Sequence, residues 1–135
     1  MQKRQEIWRK NLIGKDIAYK RYVYSKYIEG RTDISESTLQ TINADIPRTF
    51  SGKTTVSTEV VSKLLKEYAT VQRGDSYLQG FSYFMVIFCT VFHKSEHTNA
   101  DTFWCFSKLV GIIRPLKPDF NADWVAWNRD FWIKD

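Results

Sequence analysis

Four stretches of this chain carry residue types that could do chemistry. Residues 45–55 read Asp45-Ile-Pro-Arg48-Thr-Phe-Ser-Gly52-Lys53-Thr54-Thr55 and end like a phosphate-binding loop. That loop requires a glycine, four residues and then Gly-Lys-Ser/Thr, following a strand and opening a helix. Here the first glycine position is Pro47, which has no N–H and fixes φ at a negative value. The residues before it have a helical pattern, so a polar loop accounts for Gly52-Lys53-Thr54. A second stretch, His93-Lys-Ser-Glu96-His97, matches the H-x-x-E-H zinc-peptidase pattern. Such a centre needs a third protein ligand, usually a downstream glutamate, and no glutamate follows Glu96. Two solvent-facing histidines after a buried helix are the expectation. In the third stretch, Tyr19, Tyr22, Tyr24 and Tyr27 alternate with Lys20, Arg21 and Lys26, a mixture able to stack bases and pair phosphates. The tyrosines recur at helical spacing, which predicts core packing and no nucleic-acid partner.

The fourth is a pair of polar signals, Ile42-Asn-Ala-Asp45-Ile-Pro-Arg48-Thr49 and Tyr77-Leu-Gln79-Gly80. Taken singly, each has an ordinary explanation. An arginine after a short helix satisfies terminal carbonyls, and a glutamine opening an apolar helix hydrogen-bonds the helix start. No Gly-x-Ser-x-Gly frame or other nucleophile arrangement accompanies them.

The elements that must position these residues read as helices. In residues 2–13, Ile7, Trp8, Asn11 and Leu12 share a face, and Gly14 is placed to stop the helix. Asp16 is placed to cap the next, which carries Tyr19, Tyr22, Val23 and Tyr27 and ends at Gly30. Ser37-Thr-Leu-Gln40 matches a capping box opening a short helix with Leu39 and Ile42. In residues 60–71, Val60, Val61, Leu64, Leu65, Tyr68 and Val71 form one stripe, opposite Ser62, Lys63, Lys66 and Glu67. Residues 77–92 are apolar all round, as a central buried helix would be. Asn99 is placed to cap a helix carrying Phe103, Trp104, Phe106, Leu109 and Val110. Pro115 and Pro118 end it, and residues 123–132 begin another. The fold class is therefore all-α, a bundle of about six or seven helices.

Composition agrees. A chain of 135 residues with 43% apolar and 16% aromatic residues has enough to build a core, which argues against disorder. The formal charge of +5 is concentrated in the first third, from Lys3 to Arg31, and reads as a solvated surface able to attract phosphates or anionic lipid. Cys89 and Cys105 sit among apolar residues and suit no metal spacing, so buried reduced thiols are expected. No signal peptide is visible, and the most apolar run, residues 83–92, is too short to cross a bilayer. Trp127, Phe131 and Trp132 lie near the last residue, which predicts the front part of a longer domain.

Together and in this order, the two polar signals resemble the I-x-x-D-x-x-R and Y-x-Q-G motifs of the TBC domain of Rab GTPase-activating proteins. They read here as Ile42, Asp45, Arg48 and Tyr77, Gln79, Gly80, with the amphipathic helix between them. Arg4-Gln-Glu-Ile7-Trp8 resembles the family's opening R-x-x-V/I-W, with Leu12-Ile-Gly14 following. Asp101-Thr-Phe-Trp-Cys-Phe106 resembles a helix that the family carries after the glutamine motif. The sequence departs at Ser76, Leu78 and Phe81, where the family commonly has Gly, then Cys or Val, and Met.

The resemblance implies a single TBC-like domain over residues 1–135, a multi-helix orthogonal bundle lacking the family's C-terminal helices. It implies a Rab-family small GTPase as partner, with Arg48 as arginine finger and Gln79 as glutamine finger, both supplied in trans. A small GTPase is slow because charge developing on the γ-phosphoryl group lacks a cation and the attacking water lacks an orienting group. Arginine offers a permanently charged planar fork, and glutamine both accepts and donates. Asp45, Thr49, Tyr77 and Gly80 would position the fingers, Asp45 by bonding the Arg48 guanidinium and Pro47 by stiffening its loop. GTP and Mg²⁺ would belong to the partner, so no cofactor is expected. Location would be cytoplasmic, with peripheral contact at the cytosolic face of membranes. The alternative is a catalytically inactive module that keeps the fold and binds a GTPase or another trafficking partner as a scaffold.

Overall fold

The computed structural model describes residues 2–49, 56–72 and 80–113, and among these the elements are helices throughout. Helix α1 (Gln2–Trp8) runs directly into a π-helical turn, Arg9–Ile13. Gly14 stops it as predicted, with φ at 88° and its N–H donating to the Arg9 carbonyl at 2.8 Å. Of the predicted face, Trp8 and Leu12 pack toward the core with Ile13, while Ile7 and Asn11 are exposed.

Helix α2 (Ile17–Val23) repeats the device and continues into a second π stretch, Tyr24–Ile28. Asp16 occupies the cap position, but its side chain makes no cap bond, and only its carbonyl accepts from Lys20 N–H. The tyrosine expectation is overturned here. Tyr19, Tyr22 and Tyr27 are 67%, 51% and 51% exposed, and Tyr24 and Ile28 are the residues that enter the core.

Helix α3 (Glu36–Thr49) is longer than the short helix predicted. Ser35, not Ser37, caps it: its Oγ accepts the Thr38 N–H at 3.2 Å and donates to the Thr38 hydroxyl at 2.9 Å. The helix then continues through Pro47. Proline cannot supply the N–H that the Asn43 carbonyl would take, so this turn is weaker than its neighbours. Arg48 thus stands in the last turn of a helix, which corrects the stiffened loop expected there.

Helix α4 (Thr58–Val71) is capped by Ser57, whose Oγ accepts the Val60 N–H at 3.4 Å. Val61, Leu64, Leu65 and Tyr68 are buried as the stripe predicted, and Val60 is partly so; Val71 is exposed. Glu67, assigned to the solvent face, is fully buried. Its carboxylate accepts from the Tyr24 hydroxyl and the Gly30 N–H, each at 2.7 Å, and pairs with Lys63 at 3.1 Å. Three donors offset the desolvation that an unpaired carboxylate would suffer. Burial, and then the bond to Glu67, pushes the Tyr24 hydroxyl pKa well above its ordinary value.

Helix α5 (Phe81–Val91) is the central one, with Phe81, Phe84, Met85, Phe88, Cys89 and Val91 buried. Helix α6 (Thr98–Ile113) packs along it and buries Phe103, Phe106, Leu109 and Val110. Asn99 falls inside the first turn of α6 and is not its cap; the first turn closes on the His97 carbonyl, which accepts the Asp101 N–H at 2.9 Å. Aromatic rings knit the core, as between Tyr68 and Phe106 at 4.9 Å and between Trp8 and Phe88 at 4.9 Å. Cys89 and Cys105 are buried and free, and burial pushes the Cys89 thiol up to about 12. Protonated thiols of this kind are unreactive.

A second buried carboxylate ties the N-terminal helices to α6. Asp101, with no exposure, accepts from Arg9 Nε at 2.8 Å and from Arg21 Nε and Nη2 at 2.9 and 2.8 Å. The hydrogen bond to Asp101 raises the Arg21 pKa, against the lowering effect of burial. Two of the basic residues read as solvated surface are therefore structural. The predicted helix ends at Pro115 and Pro118, the helix over residues 123–132 and the aromatics Trp127, Phe131 and Trp132 lie outside the described residues. Among the described residues no helix is long and apolar enough to cross a membrane.

Candidate functional site

Along α3, Ile42, Asp45 and Thr49 follow one another at spacings of three and four, so they share one face. Ile42 and Asp45 are buried and Thr49 partly so. That face meets the start of α5. Asp45 Oδ2 accepts the Gly80 N–H at 3.1 Å. Gly80 caps α5 in the left-handed region, with φ at 98°, a conformation that penalises any residue with a Cβ. The Asp45 carboxylate thus satisfies a donor at the start of α5 and places negative charge at the positive end of its dipole.

A second link lies one turn further along. The Thr49 hydroxyl donates to the Asp45 carbonyl at 2.9 Å and is in hydrogen-bond contact with the Ser82 hydroxyl. A threonine has one hydroxyl proton, so with that proton on the Asp45 carbonyl, Ser82 is the donor to Thr49. Carboxylate to amide and hydroxyl to hydroxyl, the two bonds clasp the end of α3 to the first turn of α5.

The clasp joins the arginine motif to Gly80, the last residue of the glutamine motif. The Arg48 backbone lies in the last turn of α3, flanked by Pro47 and by Thr49 of the clasp. Gln79 and Tyr77 lie outside the described residues, as does the Arg48 side chain, and Gln79 directly precedes Gly80 in the chain. Of the predicted positioning residues, Asp45, Thr49 and Gly80 are brought together. Asp45 was expected to bond the Arg48 guanidinium, and the described bond runs to Gly80 N–H.

Ser82 was missed by sequence reasoning. The signal was a hydroxyl at the second position of an otherwise apolar helix, and it is fully buried. The bulk of Phe81, one of the departures, is turned inward, with its ring 5.8 Å from Phe106 and 6.4 Å from Tyr68. Beside the clasp, a groove of about 560 Å³ runs between α3 and α4, lined by Asn43, Ile46, Pro47, Ser62, Lys63 and Lys66 among others.

The other chemical candidates stay apart from this site. His93, Glu96 and His97 fall in the turn between α5 and α6 and not on a helix, and His93 is exposed. Among the described residues no three His, Cys, Asp or Glu side chains converge as a metal site. Residues 51–55, with Gly52-Lys53-Thr54, lie outside the described residues, and the segment leading to them is helical.

The clasp makes a measurable prediction. Thr49→Val leaves the buried Ser82 hydroxyl without its acceptor and is expected to destabilise the chain by about 1–3 kcal/mol. Adding Ser82→Ala removes the orphaned group, so the double variant should lose less than the sum of the single losses. Thermal unfolding of the four proteins measures the coupling, and strict additivity would contradict the clasp.

The sequence profile of the Rab-GTPase-TBC domain family matches residues 1–121. That match covers most of the chain, and the chain belongs to the Rab-GTPase-TBC domain family. Searches of curated proteins and of solved structures return no match.

Proposed function

We propose that the chain is a GTPase-activating protein for a Rab-type small GTPase, with Arg48 as arginine finger and Gln79 as glutamine finger in trans. Family membership supports the kind of partner. The observation that carries the catalytic reading is the Asp45–Gly80 bond, reinforced by Thr49–Ser82, because it joins the residues adjoining both fingers.

In this scheme GTP and Mg²⁺ arrive on the partner. Arg48 projects its guanidinium toward the γ-phosphoryl oxygens, and the Gln79 amide orients the attacking water. Tyr77 and Gly80 set the approach of Gln79. The clasp ensures that docking one finger docks the other, so their entropy cost is met once. The groove beside Pro47, with Lys63 and Lys66 on its wall, offers the partner a surface next to Arg48. The chain would act in the cytoplasm, at the cytosolic face of membranes where its partner sits.

A panel of GTP-loaded Rab proteins with and without the chain tests this. Acceleration of at least one member is the expected result. Binding without acceleration of any member would favour the scaffold reading, and neither binding nor acceleration would defeat both.

A further inference from the structure

Three of the large apolar side chains exposed among the described residues fall within nine residues of each other, at Tyr19, Tyr22 and Tyr27. They are not scattered. Tyr19 and Tyr22 stand one turn apart on α2, and the rings of Tyr22 and Tyr27 meet edge to face at 6.5 Å. Lys26 sits between them, its Nζ 3.0 Å from the Tyr22 hydroxyl and 5.5 Å from the centroid of each ring. Lys15, Ala18, Ser25 and Arg31, close by in the chain, are exposed as well.

We infer that this face of α2 and the π stretch after it is a docking surface for an anionic phospholipid membrane. Tyrosine is an apolar body with a polar tip, the shape that suits the boundary between acyl chains and headgroups. Lysine beside it reaches the phosphates while its stem stays among the rings. The charge distribution fits the same partner. Residues 1–33 hold nine lysines and arginines against four carboxylates, whereas the remaining residues hold eleven of each. The whole formal excess of +5 therefore lies in the segment that carries the tyrosines. Arg9 and Arg21 share Asp101 and Lys20 donates to the Ile13 carbonyl, while Lys3, Arg4, Lys10, Lys15, Lys26 and Arg31 are exposed and can meet an anionic surface.

Two other occupants fit less well. Single-stranded nucleic acid needs free ring faces for stacking, and here Lys26 lies over both Tyr22 and Tyr27. A stable protein interface needs about 800 Å² per partner around a desolvated apolar centre, and the tyrosines are bordered by charged and small residues. This surface lies on α2 and the π stretch after it and draws on no residue proposed as a finger, so it stands whether or not the chain accelerates a GTPase.

The test is co-sedimentation of the full chain with phosphatidylserine-containing vesicles and with pure phosphatidylcholine vesicles. The chain is expected to sediment with the first and not the second, and to be released as salt rises. Lys26→Ala should weaken binding roughly fivefold. The triple variant Tyr19→Ser, Tyr22→Ser, Tyr27→Ser, all at exposed positions, should weaken it at least as much without lowering the melting temperature. Equal sedimentation of parent and triple variant would overturn the proposal. So would absence of sedimentation with either vesicle, or a tyrosine-dependent preference for a polyuridine or acidic-peptide competitor over the anionic vesicles.

Discussion

Replacing Arg48 with alanine is expected to reduce acceleration of the partner's GTP hydrolysis by a factor of about 10³–10⁵, or roughly 4–7 kcal/mol of barrier. The size follows from where the cation acts. Charge spreads over the γ-phosphoryl oxygens only as the bond breaks, in a site closed to water, so a guanidinium placed there acts mainly on the transition state. Alanine is the best helix former, and position 48 lies in the last turn of α3, so the helix should persist. Lysine is expected to fail nearly as badly, because an ammonium cannot present the planar fork. Single-turnover hydrolysis by a responsive Rab measures the loss. Binding of the GTP-loaded partner should change far less, and a parallel loss of both would mean that Arg48 is a docking residue.

The largest expected effect on stability lies elsewhere. Asp101→Ala should cost about 3–5 kcal/mol, because it strands two guanidinium groups that the buried carboxylate now neutralises. Arg9 and Arg21 come from separate segments of the N-terminal region, so their mutual repulsion would pry that region from α6. A fall in melting temperature of about 10 °C or more is the readout. Asp101→Asn, which keeps the shape and one acceptor, should cost less. Equal melting of Asp101→Ala and the parent would mean that both arginines find other partners or turn to solvent.

These two residues also show what could be read from the sequence. The proposal for Arg48 rests on a pattern of types, isoleucine, aspartate and arginine at fixed spacing followed by a tyrosine-glutamine-glycine segment. Helices α4, α5 and α6 were legible because their apolar residues recur at helical spacing. Asp101 as a structural hub was not, since a carboxylate alone reads as surface, and its partners lie 92 and 80 residues away. Glu67 was misplaced for the same reason.

The exposed tyrosines were missed for a different one. Ile17, Arg21, Tyr24 and Ile28 also recur at helical spacing, and the inward face is theirs and not the more aromatic stripe beside it. Pro47 was read as the end of a helix, because proline usually is, yet α3 continues two residues past it. Among Ser35, Ser37 and Thr38, three hydroxyls competed for one cap, and local pattern alone chose the wrong one.

In the proposed mechanism this chain completes the catalytic site of its partner. Small GTPases orient the attacking water with a glutamine of their own. If Gln79 takes over that task in trans, the partner's glutamine becomes dispensable. The decisive measurement is single-turnover GTP hydrolysis by a responsive Rab whose own catalytic glutamine is replaced by leucine, with the parent chain and with Gln79→Ala. A glutamine finger in trans requires strong acceleration by the parent and none by Gln79→Ala. Acceleration by neither, or by both alike, would contradict it.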